Sequence, residues 1–202
     1  MASHASLTGA QLHEPKGVAA ATIGEVYIAD GAGSGAWDIL THTSAPSGSV
    51  IGHSITTLST ASTISSTYFP VDDTIPQNTE GSEVFTISYT PKRADSIIVV
   101  EALVHLTTSN NAVPPGIAFF KDSSASAVAA SVKTNSYDSG QTPSETHLIY
   151  TETAGSTTAR TYKIRASAVY SSNITIYVNR ATGGRIFGGV VSSILRVTEY
   201  KA

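Results

Sequence analysis

From Tyr68 to the C-terminus, apolar and polar side chains alternate in short segments, and no segment keeps the period of an amphipathic helix. In Glu83–Tyr89, every second residue is apolar, so one face of a strand would be buried and the other exposed. Similar segments follow at Ile117–Phe120, His147–Tyr150, Tyr162–Ala168, Ile174–Val178 and Ser193–Tyr200. About seven or eight strands at this spacing predict an all-β domain, a β-sandwich of jelly-roll type.

Two further segments of this region have less regular patterns. Ser96–Leu106 is mostly apolar, so we expect a long strand that is buried on both faces over part of its length. Ala125–Val132 is either another strand or, because alanine is frequent in it, a short helix.

The first third of the chain differs in charge and in apolar content. Residues 1–66 contain a single basic residue, Lys16, and four acidic ones, whereas the remainder carries equal numbers of each sign. Large apolar side chains are too few there to offset the entropy of ordering the backbone. We therefore expect an extended arm at 1–45, a Ser/Thr-rich flexible linker or extended strand at 46–66, and a β-sandwich knob at 67–202.

Within the arm, one short segment has the pattern of a hairpin. Glu25–Ala29 and Trp37–Leu40 are strand candidates, and the glycine-rich Asp30–Gly35 lies between them. Two strands alone are marginally stable in water, so the hairpin is expected to pack on another surface. The same glycine-rich segment is not a dinucleotide-binding loop, because neither a helix nor a suitably placed acidic residue follows it.

Composition argues against several kinds of chemistry. The chain has no cysteine, which excludes disulfides, thiolate catalysis and cysteine-bound metals. His13-Glu14 begins like a zinc-protease motif, but Pro15 and Gly17 prevent the helix that this motif needs. We therefore expect no catalytic residues, no metal site and no cofactor, and hence a protein that is not an enzyme.

Nucleic acid and membranes are not expected partners. The net charge is −3, without the clustered lysine and arginine of a nucleic-acid-binding surface. No apolar run approaches the length of a transmembrane helix, and residues 1–10 lack the features of a signal peptide. The sequence therefore predicts synthesis and folding in the cytoplasm of the producing cell.

The N-terminal segment resembles a known group of proteins. Leu7–Val18, which includes His13-Glu14-Pro15-Lys16-Gly17, and Gly24–Trp37 are similar to an N-terminal segment of tailed-bacteriophage head-fibre, capsid-decoration (cement) and tail-fibre-like proteins. The resemblance implies a virion structural protein on the outer capsid surface, a homotrimer that docks on the major capsid protein through its arm and displays a jelly-roll knob. The implied docking residues are Leu12, His13, Glu14, Pro15, Lys16, Val26, Tyr27, Ile28 and Trp37.

The resemblance leaves one alternative open. A tail-associated fibre or adhesin would carry the same N-terminal segment and contact a tail protein instead of the shell. Its knob would bind a host glycan or protein through loops such as Asn110–Gly116 and Tyr137–Ser144.

Overall fold

The chain forms two compact units, Met1–Pro46 and Ser47–Ala202. The computed structural model describes residues 21–32, 35–65, 67–110, 112–133, 142–170 and 173–202. In these ranges the regular structure is β, apart from one short 3-10 turn at Phe187–Gly189. The prediction of an all-β fold is confirmed.

The described part of the first unit forms an antiparallel hairpin. Strand β1 (Val26–Ala29) pairs with strand β2 (Gly35–Asp38), and Tyr27 lies directly opposite Trp37. Asp30 starts the turn between them, where its Oδ1 accepts a hydrogen bond of 2.8 Å from the backbone N–H of Ala32.

In its described residues, the second unit contains ten strands. They are β3 (Val50–Leu58), β4 (Ser62–Ser65), β5 (Ser82–Tyr89), β6 (Ile97–Thr108), β7 (Pro115–Lys121), β8 (Ala129–Val132), β9 (Ser144–Thr153), β10 (Arg160–Ala168), β11 (Thr175–Val178) and β12 (Ser193–Tyr200).

Eight of these strands pair in a nested order. β7 pairs with β8, β6 with β9, β5 with β10, and β3 with β12, all antiparallel. Each pair therefore encloses the previous one along the chain, as in a long hairpin folded over on itself. This nesting produces two four-stranded sheets, β3-β12-β6-β9 and β5-β10-β7-β8, which is the arrangement of a jelly roll.

The short strands β4 and β11 lengthen the first sheet. β12 pairs with the Ile97–Leu103 part of β6, and β11 pairs with its last residues, Leu106–Thr108. β11 and β12 share one edge of β6, because β9 occupies the other edge. β3 and β4 occupy the next position in the sheet, where β3 pairs with β12 and β4 pairs with β11.

The core lies between the two sheets. Alternate residues of β6, from Ile98 to Leu106, have no exposed surface, and they face Phe119, Tyr162 and Ile164 of the other sheet. The intervening residues Ile97 to His105 are only partly buried. Burial on both faces, predicted for part of this strand, occurs only at its end, where Leu106, Thr107 and Thr108 are buried in succession.

Residues 46–66 contribute two strands to the jelly roll rather than a flexible connection. The unit begins at Ser47, about 20 residues before the predicted start of the knob. In the Ala125–Val132 segment, only Ala129–Val132 is regular, and it forms strand β8, not a helix. Pro115 and Gly116, predicted as loop, are the first residues of β7 and are buried.

Candidate docking site

The hairpin brings the two large aromatic side chains of the arm together. The rings of Tyr27 and Trp37 meet edge to face, with centroids 5.7 Å apart and planes at 67°. This geometry is a favourable one for aromatic pairs. Both residues are half-buried, and they lie on the same face of the hairpin because they are directly opposed.

Gly35 makes this arrangement possible. A Cβ atom at this position would lie 2.4 Å from the carbonyl oxygen of Ile28 and 2.9 Å from Cε1 of Tyr27. Any larger residue would therefore displace the tyrosine ring or open the strand pair. The glycine belongs to the segment whose composition predicted a hairpin turn, but its packing role depends on the strand register.

The other face and the ends of the hairpin carry exposed aliphatic side chains. Val26 and Ile28 share the face opposite Tyr27 by alternation, and Val26 is 38% exposed. Beyond the strands, Ile23, Ile39 and Leu40 are more than half exposed. A two-stranded hairpin that presents apolar groups on both faces has the composition of a contact surface.

The structure brings together four of the nine predicted docking residues. Val26, Tyr27, Ile28 and Trp37 all lie in the hairpin strands. The remaining five, Leu12, His13, Glu14, Pro15 and Lys16, lie outside the described residues.

A second apolar surface lies on the jelly-roll unit, in the loop between β11 and β12. Phe187 and Val190 are 78% and 80% exposed, and Phe187 has a positive φ of 46°. The base of this loop is closed by Asn179, whose Nδ2 donates to the carbonyl oxygen of Leu58 and whose Oδ1 accepts from the hydroxyl of Ser193, both at 2.7 Å. The loop tip thus projects apolar groups from a rigid base.

A polar cleft of about 400 Å³ lies on the outer side of the β5-β10-β7 sheet. Its polar lining residues come from four separate segments of the chain, and they are Asn78, Glu83, Asp122, Ser123, Ser124, Lys163 and Arg165. Because its lining includes both donors and acceptors, the cleft suits a hydroxyl-rich or zwitterionic ligand. Sequence reasoning missed it, since no local pattern links segments that only the strand pairing brings together.

The described residues of the two loops predicted for ligand binding do not line this cleft. The hydroxyl of Thr108 shares its one hydrogen between the carbonyl oxygens of Asn110 and Val113, at 2.7 and 2.8 Å, so the described part of the Asn110–Gly116 loop is held against the sheet. In the second loop, residues 137–141 lie outside the described residues.

Two carboxylates inside the jelly-roll unit are surrounded by donors. Glu152 accepts hydrogen bonds from the hydroxyl of Tyr162 at 2.6 Å and from Arg160 at 2.9 Å, and it pairs with Lys121. Burial alone raises the pKa of Glu152, but hydrogen bonds from Lys121, Tyr162 and Arg160 outweigh it and lower the pKa below its ordinary value. The carboxylate is therefore ionised at neutral pH and ties three strands together.

Glu199 is the second of these carboxylates and has no exposed surface. It accepts from the hydroxyl of Tyr89 at 2.7 Å and from the backbone N–H groups of Lys92 and Arg93 at 2.8–3.1 Å. The hydroxyl of Ser96 donates to its Oε1 as well. Glu199 thus fixes the turn between β5 and β6.

Neither carboxylate is part of a cluster with metal-binding geometry. Within the described ranges, no three His, Asp or Glu side chains lie close enough together to share an ion. The same part of the chain also contains no helix with the length and apolarity needed to span a membrane.

The strand pairing defines the class of the larger unit, an eight-stranded jelly roll preceded by a separate hairpin unit. No protein-family model matches the chain, and no curated protein matches it. Among solved structures, it is similar to those of the infectious bursal disease virus Gt strain (15% identity, TM-score 0.35) and Gx strain (16%, 0.35), and of the VP2 subviral particle of that virus (13%, 0.32). Each likeness covers 85% of this chain and about two-fifths of the other. Likeness at this level carries no functional argument, and the jelly-roll assignment rests on the pairing itself.

Proposed function

We propose that the protein is a bacteriophage virion structural protein, a capsid-decoration (cement) protein or short head fibre. The N-terminal arm docks on the shell, and the jelly-roll unit stands outside it. In this proposal the partner is the major capsid protein, the protein is a homotrimer, and it performs no catalysis.

The observation that carries the proposal is the separate hairpin unit with its aromatic pair. Gly24–Trp37, the second part of the segment that resembles phage head-fibre and decoration proteins, spans the hairpin up to Trp37, and the hairpin belongs to the first compact unit. Tyr27 and Trp37 are the kind of side chains that dominate binding energy in protein interfaces. The jelly roll itself is an architecture used by viral capsid domains and by lectins.

The proposal is tested by binding to phage particles that lack the protein. Trp37→Ala should weaken attachment at least about 30-fold, as expected for an aromatic hot spot. Trp37→Phe, which keeps an aromatic ring in the hairpin, should lose much less. Tyr68→Ala is a matched control, because Tyr68 is a 38% exposed aromatic residue of the jelly-roll unit.

Two results would contradict docking through the hairpin. One is unchanged binding by Trp37→Ala. The other is full binding by a fragment comprising residues 47–202, because that fragment lacks the first unit entirely.

A tail-associated adhesin is the second candidate, and the polar cleft favours it. A cleft with mixed donors and acceptors, including Glu83 and Lys163, is suited to a saccharide of the host surface. The number of copies per virion separates the candidates, since hundreds of copies indicate decoration and a few dozen indicate the tail. Loss of glycan binding in Lys163→Ala, with particle binding retained, would support the adhesin.

A further inference from the structure

The two sheets of the jelly roll differ in how their outer faces are covered. On the β5-β10-β7-β8 sheet, Ala118 and Phe120 point outward, yet they are at most 2% exposed. Phe69 and Ala127, from segments that flank this sheet, pack over them. Arg165 fixes this cover by donating from Nε to the carbonyl oxygen of Glu80 at 2.7 Å.

The outer face of the β3-β12-β6-β9 sheet has no comparable cover among the described residues of the jelly-roll unit itself. We call it the open face, and it consists of four rows that follow the strand registers. The rows are Val50, Tyr200, Ile97 and Thr153; His53, Thr198, Val99 and Thr151; Ile55, Arg196, Glu101 and Ile149; and Thr57, Ile194, Leu103 and His147.

Half of the open face is apolar. Eight of its members are Val, Ile, Leu or Tyr, and none of these eight belongs to either hydrophobic cluster formed by the described residues. Val50, Ile55 and Ile149 are each more than half exposed. Four strands of this length cover roughly 400 Å² in plane, and about half of that area is contributed by these apolar side chains.

The charges of the open face lie at its centre and cancel. In the third row, Arg196 donates from Nε to Oε2 of Glu101 at 2.9 Å. Nε2 of His147 lies 2.9 Å from the other carboxylate oxygen of Glu101. An isoleucine flanks the pair on each side, at Ile55 and Ile149.

This row is complementary to itself. If a second copy faces the first across a two-fold axis that runs along the strands between β12 and β6, each β12 lies over the β6 of the other copy. Arg196 then meets Glu101 of the partner subunit, and Ile55 meets Ile149 of the partner subunit. The same operation places Ile194 over Leu103 of the partner subunit, and sheets stack face to face in this manner at about 10 Å.

We propose that the open face is a self-association surface, on which two copies of the chain pair about a two-fold axis through their Arg196–Glu101 rows. The proposal is independent of the virion role and of the hairpin. It predicts an oligomer with an even number of subunits. This oligomer is a dimer or, where the protein also trimerises through other contacts, a pair of trimers.

Charge reversal with rescue tests this pairing in the full chain. Arg196→Glu places carboxylates against carboxylates across the axis, and the dissociation constant of the pair should rise at least ~100-fold. The double variant Arg196→Glu with Glu101→Arg restores a complementary row and should return the constant to near the wild-type value. Arg93→Glu is the matched control, because it breaks a comparable surface ion pair, with Asp95 at 2.7 Å, outside the open face.

The measurement is the molar mass by sedimentation equilibrium over a range of concentrations. We expect an even-numbered wild-type oligomer, half that mass for Arg196→Glu, and wild-type mass for the double variant and for the control. Ile149→Lys, at a position that is 52% exposed, should also halve the mass.

Three outcomes would overturn the proposal. They are a wild-type protein that is monomeric or odd-numbered, equal masses for Arg196→Glu and the control, and failure of the double variant to recover. The particle-binding assay reports separately on the proposed function, because none of these variants alters the hairpin.

Discussion

Replacing Glu199 by glutamine should destabilise the jelly-roll unit far more than the same change at an exposed glutamate. The side chain is fully buried at the end of the sandwich. Its Oε1 accepts from the N–H groups of Lys92 and Arg93 and from the hydroxyl of Ser96, and its Oε2 accepts from Lys92 and Tyr89. All of these partners act as donors.

The magnitude follows from that set of donors. A glutamine amide replaces one acceptor oxygen by an NH₂ group, which then faces donors in either orientation. With the amide nitrogen on the Oε2 side, Lys92 keeps one of its two acceptors and the Tyr89 hydroxyl must turn to accept from the amide. In the other orientation, the N–H of Arg93 loses its acceptor and the Ser96 hydroxyl must turn. In both orientations the remaining hydrogen bonds are made to a neutral group instead of a charged one. At 1.5–3 kcal/mol for a hydrogen bond to a charged group, the free energy of unfolding should fall by about 3 kcal/mol.

The effect should depend on pH in a defined direction. Burial alone raises the pKa of Glu199, but hydrogen bonds from Ser96, Tyr89 and the backbone of Lys92 and Arg93 outweigh it and lower the pKa below its ordinary value of 4.5. The folded state thus favours the ionised form more than the unfolded state does. The stabilisation is therefore complete above about pH 5 and is lost as the pH falls through the lower pKa of the folded protein.

Urea unfolding followed by far-ultraviolet circular dichroism is the suitable assay. Tryptophan fluorescence would report on the wrong unit, because Trp37, the only tryptophan, lies in the hairpin unit. A loss of 3 kcal/mol should lower the urea midpoint by about 1.5 M at neutral pH. Glu83→Gln, at an exposed position of β5, should shift it little.

Two observations would refute the reasoning about Glu199. One is a midpoint for Glu199→Gln that matches that of Glu83→Gln at neutral pH. The other is a difference between wild type and Glu199→Gln that stays constant on acidification, since protonation of the wild-type carboxylate should make the two proteins converge.

Two further predictions follow from the strand pairing. Gly52→Ala should lower the free energy of unfolding of the jelly roll in urea by about 2 kcal/mol or more, because a Cβ there would lie 1.9 Å from the hydroxyl oxygen of Tyr89. Gly183→Ala should leave the free energy of unfolding unchanged, because a Cβ there would have no atom within 4 Å. Equal effects of the two substitutions would contradict the packing argument. A fragment of residues 47–202 should give a cooperative β-type unfolding transition. A fragment of residues 67–202 lacks β3 and β4, which leaves β12 as an uncovered edge, so it should aggregate or unfold. Cooperative folding of the shorter fragment would show that these two strands are dispensable.

Local pattern was sufficient to predict most of the strands. Alternation in Glu83–Tyr89 and Ser193–Tyr200 predicted β5 and β12 to within one residue, because a half-buried strand requires alternate apolar residues whatever its neighbours are. The hairpin turn was equally local, since Asp30 and the glycines after it favour a reversal of the chain. Four of the predicted docking residues lie together for this reason.

Tertiary contacts decided the features that local pattern left open. Ser/Thr-rich residues 46–66 fit a linker or a strand, and the pairing of β3 with β12 and of β4 with β11 makes them the edge of a sheet. β6 is apolar on both faces, and only the placement of the second sheet determines that Ile98 is buried while Ile97 stays partly exposed.

The sequence by itself determined the fold class, the positions of most strands and the hairpin, because each depends on interactions between residues close together in the chain. Only the tertiary structure decided the nested pairing of the jelly roll, the burial of Glu199 beneath the turn after β5, and the neutral open face that places Arg196 beside Glu101. These features join residues about 100 positions apart. Their physical cause is that backbone hydrogen bonding between strands fixes which side chains are neighbours, and strand register across a sheet is not encoded in any single segment.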